Sequence, residues 1–354
     1  MSDTRDIILE QKGRCGLVTL NRPKALNAVS YDMIALLEEH YIEWAGDADI
    51  YGIILQSSDP RAFCSGGDIK ALYEMKKAGQ LDRILQLYTS EYQHNWTLDR
   101  FIKPHVALMD GYVFGGGVGV SLYGTHKVGG EKYRLAMPEA GIGFFPDVGA
   151  SYFLPRLPGH IGMYLALTGE QIERADAYAF GLLTHCINAD QYDAIREAMI
   201  EAEPIDPVLD NRHVDPGPSK LMQLKETIDR HFSQESVEAI LASLKDAQPE
   251  HREWADKTIG KINANSPFSL KVAFHQLRHT GQLSLEDALA LDARIAHKFL
   301  TGTDFYEGVR ALLIDKDGKP AWSAATLSEV NDQAVADCFE QSQDVAFVPI
   351  NPFV

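Results

Sequence analysis

Residues 109–151 read MDGYVFGGGVGVSLYGTHKVGGEKYRLAMPEAGIGFFPDVGAS, and the rest of the chain is organised around them. Gly115, Gly116 and Gly117 follow an apolar run and open a segment of helical character. Glycine costs about 0.8–1.0 kcal/mol against alanine in a helix interior, so three in a row need a reason. At a first turn the cost falls, and bare backbone lets a ligand approach unpaired N–H groups. Such a turn, with the positive end of the helix dipole, suits a phosphate or a developing oxyanion. Glu139 and Asp147 follow in a loop rich in Gly, Pro and Phe, each directly after a proline. Their apolar neighbours Leu135, Met137, Ile142, Phe144 and Phe145 would desolvate them, which raises a carboxyl pKa and suits acid–base work. A turn Asp147 and a salt-bridged Glu139 are the structural alternatives.

A second glycine loop lies upstream at Ser65-Gly66-Gly67-Asp68 and again leads into a helical segment. Two such loops can each lend one amide to the same oxygen. Two tight strand-to-helix connections packed on small residues would give the same pattern. Nucleotide motifs are absent: there is no GxxxxGK[ST], and no GxGxxG register fits across Gly115–Gly119. No GxSxG elbow is present, which argues against a serine hydrolase, and Cys64 reads as a small buried cysteine rather than a nucleophile.

Working outward, Ile7–Leu20 has two apolar runs about a Lys12-Gly13-Arg14 turn, a hairpin pattern. Ser30 is placed to cap a helix over Tyr31–Trp44. Tyr51–Gln56 and Pro104–Met109 read as short strands, and Ile69–Ala78 and Leu81–Phe101 as helices. Helices are also expected over Thr168–Gly181 and Tyr192–Glu203. This alternation predicts an α/β fold with mainly parallel pairing. Residues 201–220 are proline-rich and aperiodic and read as a linker. Beyond them the pattern is helical: Ser233–Leu244, Pro249–Asn263, Pro267–His279 and Leu285–Leu300. Capping-box spacing occurs at Ser284–Asp287 and Asp304–Glu307. The expected division is an α/β core with the active site over 1–200, a linker over 201–220 and a helical region over 221–354.

The 354 residues carry a net charge of −17, which opposes nonspecific binding to nucleic acid or anionic membrane. No apolar run approaches a bilayer span. Cys15, Cys64, Cys186 and Cys338 are scattered, with no metal-ligand spacing, and fit a reduced setting. The acidic N-terminus MSDTRDIILEQ looks like neither a signal nor a transit peptide, so a cytoplasmic, bacterial chain is expected.

Seven segments together resemble the crotonase (enoyl-CoA hydratase/isomerase) superfamily, and within it the 3-hydroxyisobutyryl-CoA hydrolase branch. They are LNRPKALNA (20–28), AFCSGGDIK (62–70), GGGVG (115–119), AMPEAGIGFFPDVGASYFLPRL (136–157), LALTG (165–169), SPFSLK (266–271) and EGVRALLIDKDGKPAW (307–322). The resemblance implies a crotonase-like spiral of ββα turns with a C-terminal helical region over the active site. It implies an acyl-CoA substrate and an oxyanion hole formed by the amides of Gly67 and Gly116. Hydratases of the superfamily carry a catalytic Glu two residues after the triple glycine; here that position is Gly119. Hydrolysis of a short-chain 3-hydroxyacyl-CoA thioester, as in valine catabolism, is therefore expected, with Glu139 and Asp147 catalytic and Glu91 a partner for the substrate hydroxyl. Glu139 would activate water or attack the carbonyl itself. By the same resemblance Arg22, Lys24 and Lys70 lie near segments that contact CoA in the family and are candidates for binding it. No metal or separate cofactor is expected, coenzyme A being part of the substrate. The superfamily's habits leave a homo-oligomer open. The alternatives are a hydratase or isomerase on another acyl-CoA, and a noncatalytic acyl-CoA-binding protein.

Overall fold

The structure, a computed structural model, describes residues 6–340 and 347–353. Among the described residues ten strands form two sheets. They are β1 (Ile7–Lys12), β2 (Cys15–Leu20), β3 (Gly52–Ser57), β4 (Ala62–Cys64), β5 (His105–Met109), β6 (Tyr112–Phe114), β7 (His126–Gly129), β8 (Arg134–Ala136), β9 (Ile172–Glu173) and β10 (His185–Cys186). The six-stranded sheet runs β1-β2-β3-β5-β7-β10 and the four-stranded sheet β4-β6-β8-β9. Among the described residues only the β1–β2 and β8–β9 pairs are antiparallel. The chain alternates between the sheets: β3 then β4, β5 then β6, β7 then β8, with helical segments between these pairs. That is the ββα spiral the resemblance implies.

Local signals set most boundaries. Gly13, at φ +53°, makes the hairpin turn between β1 and β2. Ser30 accepts the Met33 amide and starts the helix Tyr31–Gly46, and Ser284 accepts the Asp287 amide ahead of Leu285–Thr301. The box expected at Asp304–Glu307 does not form. Thr303 precedes that helix, Asp304 instead accepts the Ser323 amide, and Glu307 pairs with Arg310. The helix expected over Thr168–Gly181 is also corrected. Helix Ile161–Thr168 stops at Gly169, which takes the left-handed conformation and bonds back to Leu165; β9 and the helix Arg174–Ala179 follow.

Residues 201–220 include the helix Ile205–Asp210, whose Ile205, Val208 and Leu209 are buried against Ile54, Val106 and Ile195. The principal apolar cluster joins strands of the spiral to the helices beyond residue 220, from Leu20 and Phe63 through Phe145 to Ile262 and Phe299. The helix Leu285–Thr301 packs along Leu81–Arg100. Among the described residues no helix is long and apolar enough to cross a membrane.

Candidate active site

Parallel pairing builds the site. β4, β6 and β8 are neighbours running the same way, so the loops leaving their C-terminal ends lie side by side. β4 leads into Ser65–Asp68, β6 into Gly115–Gly117, and β8 into Pro138-Glu139. Three motifs spread over some seventy residues of sequence therefore meet at one sheet edge, where the amide of Gly115 reaches the Ala136 carbonyl at 3.3 Å. They line a cavity of about 350 Å³.

Gly67 and Gly116 face each other there. A β-carbon on Gly116 would stand 3.4 Å from the Gly67 nitrogen and would collide with Oε1 of Glu91. Gly116 opens the helix Gly116–Leu122, where an N–H has no intrahelical acceptor. Among the described residues no protein acceptor takes either amide. Both are placed to receive one oxygen.

Three carboxylates close the other sides: Glu91 at 5% exposure, Glu139 at 7% and Asp147 at 5%. Glu91 comes from the helix Leu81–Arg100, so it lies on no solvated face. Glu139 begins a tight 3₁₀ turn, Glu139–Ile142, and its Oε1 packs over Gly115. Oε1 of Glu91 and Oε2 of Glu139 are buried with no hydrogen-bond partner. Asp147 caps no helix with its side chain; its Oδ2 accepts the hydroxyl of Tyr92 at 2.8 Å. Among the described residues no cationic side chain lines the cavity.

Burial without a cation sets the electrostatics. Desolvation, followed by the charge of Asp147, pushes Glu91 up to about 8. Glu139 is driven well above the ordinary carboxylate range by burial first, then by Asp147 and Glu91. Asp147 rises to about 7 through burial, against the opposing bond from Tyr92. Like charges this close titrate as a set, and the set retains protons near neutrality.

The expected residues thus separate into two groups. Gly67, Gly116, Glu91, Glu139 and Asp147 all line the one cavity. Arg22, Lys24 and Lys70 do not. Arg22 pairs with Asp68 at 2.8 Å and Asp6 at 3.0 Å, and Lys24 and Lys70 are exposed. Cys64 is fully buried beneath the site and its thiol is pushed up to about 12, which removes it as a nucleophile. Sequence reasoning missed Tyr92, one residue beyond Glu91, and the apolar wall. Tyr88 and Phe144 have ring centroids 5.4 Å apart, and Phe144 and Phe305 are 5.0 Å apart. Phe305 and Leu312 reach the cavity from C-terminal helical turns, and Asn265 from the bend between the helices Arg252–Asn263 and Pro267–His279. Leu312 sits on a π-helical turn, Arg310–Ile314. A helical apolar pattern marks Tyr88 and Phe305 as core, and nothing in it shows which core residue borders a cavity.

Two free amides thus stand opposite three buried carboxylates on a ββα spiral. The family model for enoyl-CoA hydratase/isomerase matches residues 15–339, and the chain belongs to that family. It is 40% identical to the mitochondrial 3-hydroxyisobutyryl-CoA hydrolase of Rattus norvegicus, over 98% of this chain and 92% of that one. The corresponding protein of Danio rerio is 39% identical over 94% of this chain and 89% of its own. Among solved structures, an enoyl-CoA hydratase from Rhodobacter sphaeroides 2.4.1 superposes with a TM-score of 0.90 at 30% identity, covering 97% of this chain and 100% of that one. A carnitinyl-CoA dehydratase from Mycobacterium thermoresistibile gives 0.89 at 35%, covering 96% and 97%.

The compartment expected from the sequence is corrected by these relatives, which are mitochondrial enzymes of animals. The four cysteines are free and buried.

Proposed function

We propose that this chain hydrolyses the thioester of 3-hydroxyisobutyryl-CoA, a step of valine breakdown. The observation that carries the reading is the trio Glu91, Glu139 and Asp147 gathered opposite the Gly67 and Gly116 amides, with no room for a carboxylate at Gly119. A β-carbon at Gly119 would already lie 2.8 Å from Nδ2 of Asn95 and 3.0 Å from Cβ of Val148. The hydrolase relatives over nearly the whole chain support the same reading.

The thioester oxygen lies between the two amides, which strengthen their bonds as it becomes an oxyanion. Glu139 and Asp147 hold a proton between them. One takes a proton at the attacking oxygen while the other delivers one to the departing thiolate, leaving free CoA and a hydroxy acid. Glu91, buried and unpartnered at Oε1, receives the substrate hydroxyl. The cavity of about 350 Å³ suits a short, branched acyl group.

The test is thiol release from 3-hydroxyisobutyryl-CoA by the purified protein. A hydratase or dehydratase is the second reading, favoured by the two solved structures just described. It is the correct one if crotonyl-CoA loses its enoyl absorbance while no thiol is released from either thioester.

A further inference from the structure

The loop that carries Asp147 is anchored on a second buried carboxylate from a distant helix. Asp292, on Leu285–Thr301, is fully buried. Its Oδ2 accepts the amide of Gly149 at 2.7 Å, and its Oδ1 accepts the Ser151 hydroxyl at 2.9 Å. Oδ1 also accepts Nε2 of Gln276 at 3.2 Å, and that nitrogen donates to the carbonyl of Pro146 at 3.0 Å. Tyr123 donates to the carbonyl of Val148 at 2.6 Å. The backbone on both sides of Asp147 is therefore tied down, at Pro146, Val148 and Gly149.

The loop needs these ties. Val148 has φ +49°, in the left-handed region that a β-branched residue avoids. Such a conformation persists only where the surroundings over-determine it. Helix packing alone would be served better by an apolar residue at position 292. Among the described residues no cation pairs with Asp292, so its carboxylate is held by the donors of this loop and by Gln276. We infer that Asp292 is a positioning residue: it holds the turn from Pro146 to Ser151 so that Asp147 meets Tyr92 and faces the cavity. The inference rests on the reading of Asp147 as a working carboxylate of the thioester site.

Asp292→Ala and Asp292→Asn test it by steady-state thioester hydrolysis, with thermal melts and crystal structures of both. Misplacing a reacting group by about 1 Å can cost about 10²-fold in rate. Asp292→Ala is expected to lower kcat by roughly that factor with KM changed less than about threefold. Asp292→Asn, which keeps one acceptor for Gly149, is expected to recover part of the loss. In the Asp292→Ala crystal structure Val148 should relax to negative φ and Asp147 should leave Tyr92. A kcat within about threefold of the parent, or equal changes in kcat and KM, overturns the inference. So does a crystal structure that keeps Val148 and the Tyr92–Asp147 bond unchanged. If Asp292→Ala does not fold, Gln276→Met carries the test; the same kcat loss at steady KM is expected, and an unchanged kcat overturns it. A parent that releases no thiol defeats the functional reading instead, while the crystallographic comparison still tests the loop.

Discussion

The Tyr92 hydroxyl donates to Oδ2 of Asp147 at 2.8 Å, a bond between two buried side chains. A bond donated to a carboxylate favours the anion, so it opposes the burial that lifts Asp147 to about 7. Tyr92→Phe is expected to raise this pKa further and to move the acid limb of the kcat profile to higher pH. A profile measured from about pH 5 to 9 that superposes on the parent's refutes the assignment. The cost in stability should be about 1–3 kcal/mol, because a buried acceptor loses its donor.

Glu91 makes a stability prediction with a definite sign. Its folded pKa of about 8 lies above that of an unfolded glutamate. The unfolded chain therefore releases the proton first as pH rises. The stability associated with the neutral acid is fully present below the unfolded pKa, near about 4, and is lost as pH rises to about 8. Denaturant melts should show declining stability across this window. Glu91→Gln should flatten that decline and be more stable than the parent at about pH 8, while activity on a hydroxylated substrate falls. A variant with the parent's slope would show that Glu91 is not the group responsible.

Gly116 leaves no room for a side chain, because Oε1 of Glu91 occupies the place of a β-carbon and Gly67 N is 3.4 Å from it. Gly116→Ala should displace one amide donor and Glu91 together. Loss of a single oxyanion donor costs about 2.7–4 kcal/mol in the transition state, and kcat is expected to fall about 10²–10³-fold. A circular-dichroism spectrum like the parent's would locate the defect in the site.

Glu139 is buried with Oε2 unpaired, so Glu139→Gln should leave the fold intact. Thiol release should fall by about 10²–10⁴-fold, the range for losing a general acid–base group. A single turnover in ¹⁸O water tests for the covalent route: direct water attack labels the product at once, whereas attack by Glu139, with water then opening the anhydride at the Glu139 carbonyl, delivers an unlabelled enzyme oxygen to the product. Full turnover in the glutamine variant would exclude Glu139 from the reaction.

Gly119→Glu, which restores the hydratase spacing, is expected to give no hydratase activity. The new side chain would meet Nδ2 of Asn95 and Cβ of Val148, and the strained turn next to Asp147 would give way. Overpacking of this kind costs about 1–3 kcal/mol. A rise in crotonyl-CoA hydration would overturn this steric account.

Local chemistry made much of this protein readable from its residues. The hairpin at Gly13, the caps at Ser30 and Ser284 and the strand His105–Met109 follow from φ preferences, hydroxyl geometry and apolar periodicity. The triple glycine and the proline-preceded Glu139 and Asp147 are conspicuous against their neighbours in the sequence itself, whereas Gly119 takes its meaning only from the family resemblance. Other features depend on contacts between distant segments. Asp304 turns to Ser323 rather than to its own helix. The guanidinium of Arg22, a residue expected to bind CoA, is held by Asp6 and Asp68. Tyr92 and Asp292 look in sequence like ordinary members of amphipathic helices. Only parallel adjacency of β4, β6 and β8 brings three glycine- and proline-marked loops to one edge, and only helix packing sets Tyr92 and Asp292 against the Asp147 loop. Residue type and spacing determined which groups are capable of the chemistry. Desolvation and hydrogen bonding, which exist only once the chain has folded, decided which of them share a cavity and where their protons lie.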